Sequence, residues 1–113
     1  MSELMAVSVE HNSGLDSLVN PRFGHTAGFL VVNRANRNAI RYIRNDETKG
    51  AVDKAVVLML LNGIDTVISG AYESSVMQVM KTLGIEAWTA PDGLTAGEAI
   101  ELYVSGDLKQ TTE

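Results

Sequence analysis

Two junctions in the second half of the chain constrain its fold most: Leu61-Asn62-Gly63-Ile64-Asp65 and Thr82-Leu83-Gly84-Ile85-Glu86. Each reads as a helix end, a glycine cap, and an apolar-then-acidic entry into a strand, glycine being the usual residue for a left-handed cap. The segment before the first junction, Ala51 to Leu61, is apolar on nearly every face and predicts a heavily buried helix. Before the second, Val76, Val79, Met80 and Leu83 fall at i, i+3, i+4 and i+7, an amphipathic helix that Gly84 closes and that Ser74 or Ser75 can cap. Short strands follow at Thr66–Ser69 and Ile85–Thr89. Two strands joined by a helix run parallel with a right-handed crossover. The echo is ordinary helix-to-strand chemistry and does not make a repeat protein.

The first half reads differently. Leu4–Val9 and Gly28–Val32 are apolar runs of strand length, and Ile40–Arg44 alternates loosely, as a strand near a sheet edge does. Residues 45–50 are polar and turn-like. Thr95-Ala96-Gly97-Glu98 is a capping box that opens a last helix through about Val104, stopped at Gly106. The tail from Lys109 to Glu113 is polar and is expected to fray. The element order is βββαβαβα. Strands one, four and five are expected to be parallel neighbours, with strand two antiparallel to strand one.

Composition narrows the function classes. A chain of 113 residues is one domain able to bury a single core, with a mean hydropathy of +0.05. No apolar run approaches the roughly 18 residues of a membrane span. The start, Met-Ser-Glu-Leu-Met, lacks the cationic and apolar segments of a signal peptide. With no Cys there are neither disulfides nor thiolate ligands, which excludes zinc ribbons and Cys-ligated iron–sulfur clusters. A net charge of −5 argues against a protein that grips nucleic acid. The simplest location is cytoplasmic.

The chemistry is expected at one end of the sheet. Between strands one and two lies a long polar loop; loops of that length in a compact domain tend to be functional or disordered, and Phe23 argues for an anchored one. Ligands of open α/β sheets collect outside the carboxyl ends of parallel strands, where Glu10–Gly24, Gly70–Ser74 and Ala90–Leu94 should meet. Asp16, Arg22 and His25 then lie near the N-termini of the last two helices, whose free N–H groups and partial positive charge favour an anion. Arg22 reads either as a loop organiser, paired with Asp16 or backbone carbonyls, or as a contact to an anionic ligand. Asp16 reads first as a turn residue bonding its own backbone. His25, ahead of His11, is a candidate metal ligand, although isolated histidines are more often satisfied surface or core residues. Met59, Met77 and Met80 are expected core filler, and Trp88 is expected to pack. The Gly70–Ser75 segment lacks the glycines and Lys of a phosphate-binding loop.

The run Leu15-Asp16-Ser17-Leu18-Val19-Asn20-Pro21-Arg22-Phe23-Gly24, followed by Phe29, resembles the nitrogenase iron–molybdenum cofactor biosynthesis family, which includes NifX-like carriers, the C-terminal part of NifB-type proteins and the molybdenum–copper orange protein. Asn62–Gly70 is similar to that family's G-V-D-x-V-I-x-G segment, and Gly97-Glu98-Ala99, Tyr103 and Gly106-Asp107-Leu108 to its closing pattern. The resemblance spans Leu4 to Leu108. It implies a ribonuclease H-like fold, a mixed five-stranded sheet flanked by helices. It also implies a cofactor-binding set of Asp16, Arg22, Phe23, Gly24, Gly70 and Ser74, with His25 as the candidate metal ligand. Two departures stand out. Where the family has a G-P-x-A turn this chain has Glu73-Ser74-Ser75-Val76, and before the first helix only Gly50-Ala51 stands for a glycine-rich G-A-G. A carboxylate at Glu73 suits a helix start but repels an anionic cluster.

The resemblance implies a non-catalytic, cytoplasmic binding protein for an anionic metal–sulfur cluster of iron–molybdenum or molybdenum–copper type, with a cluster donor or acceptor protein as partner. A carrier without Cys makes physical sense, because cluster sulfides already satisfy the metals. The alternative is an interaction or regulatory module of the same fold that holds no cluster. A divalent-metal nuclease is suggested by fold analogy alone, and strand one has no carboxylate to support it.

Overall fold

A computed structural model describes residues 3–45 and 51–111. The strands are β1 (Leu4–Val9), β2 (Gly28–Asn33), β3 (Ala39–Arg44), β4 (Thr66–Ser69), β5 (Glu86–Thr89) and β6 (Lys109–Gln110). The helices are α1 (Ala51–Leu61), α2 (Ser74–Thr82) and α3 (Ala96–Ser105), with a single 3-10 turn at Gly14–Asp16 in the long loop. The strands form one mixed sheet in the order β3-β2-β1-β4-β5-β6. β1, β4 and β5 are parallel neighbours, and β2 is antiparallel to β1, as expected.

The sheet has six strands rather than five. Lys109–Gln110, placed in a fraying tail, pair antiparallel with Trp88–Thr89. Gly106 takes the left-handed conformation (φ 83) at the end of α3 and turns the chain back toward the sheet. Buried Leu108 anchors the return, and the Thr89 and Thr111 hydroxyls meet across it. The turn expected at 45–50 lies outside the described residues from 46 onward, as do Gly50 and the chain end at 112–113.

Alternation along the strands sorts side chains onto two faces. Ala6, Phe29, Val31 and Val67 join Ala55, Val56 and Met59 of α1 and Val76, Met77 and Met80 of α2 in one core. Met5, Val7, Val9, Leu30, Val32 and Ile68 pack against Ala96, Ala99 and Ile100 of α3 in the other. The sheet is therefore the middle of three layers. Trp88 packs edge-on against Tyr103, with ring centroids 5.1 Å apart.

α1 is not buried all round. Val57 and Leu60 are half exposed and Leu61 is 77% exposed. A helix in an outer layer has one face toward the sheet and one toward water, so apolar composition did not translate into burial. The two glycine caps are present, with Gly63 at φ 68 and Gly84 at φ 77. Neither Ser74 nor Ser75 caps α2. Its N-cap is Glu73, whose side chain makes no capping hydrogen bond.

Candidate functional site

The long loop after β1 is stitched across the carboxyl ends of the parallel strands. The Asn20 N–H donates to the Ser8 carbonyl of β1 (2.8 Å), and the Gly70 N–H after β4 donates back to the Asn20 carbonyl (3.1 Å). The Phe23 N–H donates to the Ala71 carbonyl at 2.9 Å. On the α3 side, Val19 N–H donates to the Leu94 carbonyl and Ala96 N–H to the Ser17 carbonyl. The three loops predicted to meet do so.

Three devices fix the loop from below. The Phe23 side chain, 0% exposed, lies between Phe29 and Tyr72, with centroids 5.2 and 5.5 Å away. The Ser8 hydroxyl of β1 donates to that of Ser69 in β4 at 2.6 Å, beneath the Asn20 carbonyl. At Gly70 a Cβ would come within 2.6 Å of the Pro21 Cα, so the loop crosses β4's end where only glycine leaves room. Gly70 and Phe23, both expected to contact the ligand, thus hold the loop's position, with the Phe23 ring fully buried. Gly24 is buried beside it.

The remaining predicted residues divide between two helix starts. Arg22, His25, Ala71, Tyr72 and Glu73 line an open cleft of about 420 Å³ at the start of α2, beside exposed Ser74. Asp16 lines a separate cleft with Leu15, Thr95, Gly97 and Glu98 at the start of α3. Asp16 and Arg22 do not pair among the described residues. The turn at Asp16 is instead closed by the Ser17 hydroxyl, which accepts from the Ser13 N–H (2.7 Å). His11 Nδ1 lies 3.0 Å from the Ser13 hydroxyl and does not line the cleft that holds His25.

The two helix starts differ in chemistry. At α3, Thr95 and Glu98 complete the capping box: Glu98 N–H donates to Thr95 Oγ1 and Thr95 N–H to Glu98 Oε1. At α2 no side chain among the described residues takes the first amides. Arg22 stands over this second start. Its N–H is held by Asn20 Oδ1 (2.8 Å), while its guanidinium makes no hydrogen bond or ion pair among the described residues. The loop-organiser reading of its side chain is therefore not met. His25, whose side chain is 55% exposed, places Nε2 3.2 Å from Glu73 Oε2. Glu73 Oε1 is buried with no hydrogen-bond partner among the described residues.

The sequence signalled Glu73 only as a departure from a pattern, not as the partner of His25. Tyr72 also escaped notice. Its hydroxyl donates to the Trp88 carbonyl at 2.6 Å, and burial drives its ionisation well above the ordinary phenol range despite that bond. Polar Ser8 and Ser69 at the ends of apolar strands were the available signal for the hydroxyl pair. Among the described residues no group of three or more His, Cys, Asp or Glu side chains is arranged to hold a metal ion. None of the described helices is long and apolar enough to cross a membrane.

Comparisons with known proteins bear on the same residues. The structure is similar to the apo orange protein of Desulfovibrio gigas, with a TM-score of 0.89 and 29% identity over 99% of this chain and 95% of that one. It also matches a Thermotoga protein described as NifB-like, with a TM-score of 0.82 and 21% identity over 100% and 97% of the two chains. A Methanocaldococcus jannaschii protein has a TM-score of 0.71 and 16% identity over 100% and 98%. These two, at lower identity, speak for the fold. No protein of curated function matches the sequence. The sequence model of the dinitrogenase iron-molybdenum cofactor family matches residues 3–106, nearly the whole chain. The chain belongs to that family.

Proposed function

We propose that this protein is a non-catalytic, cytoplasmic carrier of an anionic metal–sulfur cluster, held in the cleft at the start of α2 on a ribonuclease H-like sheet. The observation that carries the reading is Arg22, a permanent cation whose guanidinium has no partner among the described residues, beside a helix start that no described side chain caps. Helix amides and dipole attract an anion there, and the guanidinium adds donors that suit terminal sulfides. The net charge of −5 opposes a polyanion elsewhere on the surface. The cluster is of iron–molybdenum or molybdenum–copper type. His25 is the side chain at the cleft that would add a coordinate bond to an exposed metal. A donor and an acceptor protein complete the cycle, and open access to the cleft suits hand-over.

An interaction module without a cluster is favoured by one specific observation. Val57, Leu60 and Leu61 of α1, with Val79 of α2 and Leu83 after it, leave an apolar face in water. Anaerobic incubation with tetrathiomolybdate and Cu(I), gel filtration and visible spectra of the protein fraction separate the readings. The carrier reading expects a retained chromophore that Arg22→Ala loses by roughly ten- to a hundredfold in affinity, the scale of a hydrogen bond to a charged group. Wild type that retains no chromophore leaves the interaction module as the function.

A further inference from the structure

The cleft contains, besides the Arg22 cation, an anion of its own. Glu73 is the N-cap residue of α2, yet neither of its oxygens accepts from the helix amides. Oε2 is turned to His25 Nε2, and Oε1 is buried with no donor among the described residues. A carboxylate oxygen shut away from water without a donor is costly. An arrangement that leaves it so, next to unfilled amides and an unpartnered guanidinium, has its charges and its donors out of register.

We propose that Glu73 is the specificity-determining residue of this cleft, a tethered carboxylate that rejects compact oxyanions and admits large anions whose charge is spread over sulfides. The inference rests on the cluster-carrier reading. Arg22 and the α2 amides attract any anion, so attraction alone does not select. Glu73 adds repulsion, which falls with distance between charges. Sulfate or phosphate seated on the α2 amides brings its full charge close to Glu73 and must give up strong hydration to do so. A thiometallate or larger cluster meets Arg22 with its outer sulfides and keeps most of its charge farther from the carboxylate. Its softer surface also has less hydration to lose. Among the described residues, the charged or titratable groups lining the cleft are Arg22, His25 and Glu73, with the Tyr72 phenol beneath, and Glu73 is the carboxylate of that set. Discrimination by a repulsive element is the usual route when attraction is shared by competing ligands.

The test measures affinities of wild type, Glu73→Gln and Glu3→Gln for tetrathiomolybdate and for phosphate, by calorimetry under anaerobic conditions. Glu3→Gln makes the same charge change at the exposed start of the chain, before β1. Wild type is expected to bind tetrathiomolybdate and to ignore phosphate. Glu73→Gln is expected to gain phosphate binding by roughly tenfold or more while tetrathiomolybdate gains less, so that selectivity falls. Glu3→Gln should leave selectivity as in wild type. A double variant, Arg22→Ala with Glu73→Gln, should lose the gained phosphate binding, which ties the gain to this cleft. If wild type binds tetrathiomolybdate through Arg22 but selectivity is the same in Glu73→Gln, the gatekeeping role of Glu73 is overturned and the carrier reading stands. If neither wild type nor Glu73→Gln binds tetrathiomolybdate, both are overturned. An equal loss of selectivity in Glu3→Gln reduces the effect to net charge and overturns the assignment to Glu73.

Discussion

Tyr72 links the floor of the cleft to the sheet. Its ring stacks on Phe23 beneath the loop, and its hydroxyl donates to the carbonyl of Trp88 in β5 and lies 3.2 Å from that of Val67 in β4. Removing the hydroxyl in Tyr72→Phe should lower stability by about 1 kcal/mol, the usual net worth of such a bond. The pH dependence follows from burial, which holds the phenol neutral beyond the pH near 10.0 at which an exposed tyrosine ionises. The unfolded chain releases that proton first, so wild-type stability falls as pH rises above this point. Below it Tyr72 adds no slope. Urea melts at pH 8 and pH 11 should show a smaller alkaline loss in Tyr72→Phe than in wild type; equal losses would place the hydroxyl in water. At this scale the sequence was legible where a residue was conspicuous. Phe23, the aromatic within a polar loop, is fully buried as its position suggested, whereas Tyr72 hides in a short turn whose partners come from β4 and β5. The pairing of His25 with Glu73 was equally invisible, because 48 positions in sequence separate two residues that meet only when the loop is laid across β4.

Among elements, α3 was the most legible because its signals are local. A Thr and a Glu three positions apart cap its start, and Gly106 ends it. Thr95→Ala should cost about 0.5–2 kcal/mol, as loss of an N-cap does, read as a lower urea midpoint with unchanged slope. No shift would mean that Glu98 alone supports the start of the helix. The central strands were legible for a related reason, since glycine-capped helix ends followed by short apolar runs admit little besides parallel β4 and β5. The misread elements depend on their surroundings. β6 is two polar residues, Lys109 and Gln110, that carry no strand pattern and pair because Gly106 and Leu108 bring them to the exposed edge of β5. α1 is apolar enough to be central, yet its place in an outer layer leaves Leu61 in water. Composition sets what a helix can bury; topology decides how much of it is covered.

The whole molecule concentrates its loops at one end. Parallel β1, β4 and β5 send their carboxyl termini to the same side, and the long loop after β1 ties the starts of α2 and α3 together there. That convergence was readable from element order and loop length. The division of the end into two clefts, one with Asp16 and a fully capped α3, the other with Arg22 and an open α2, was not, because whether a side chain turns back to cap a helix start is a matter of side-chain geometry. The central claim is that an anionic thiometallate binds in the second cleft and not elsewhere. Its most direct test is an amide chemical-shift map of the folded protein titrated anaerobically with tetrathiomolybdate. The account predicts that the N–H signals of Arg22–His25 and Ala71–Val76 move most, in a single saturable phase, while those around Leu15, Thr95 and Gly97 and those of Val57–Leu61 stay in place. Shifts centred on the α3 start or on the apolar face of α1, with Arg22–His25 unmoved, would contradict it.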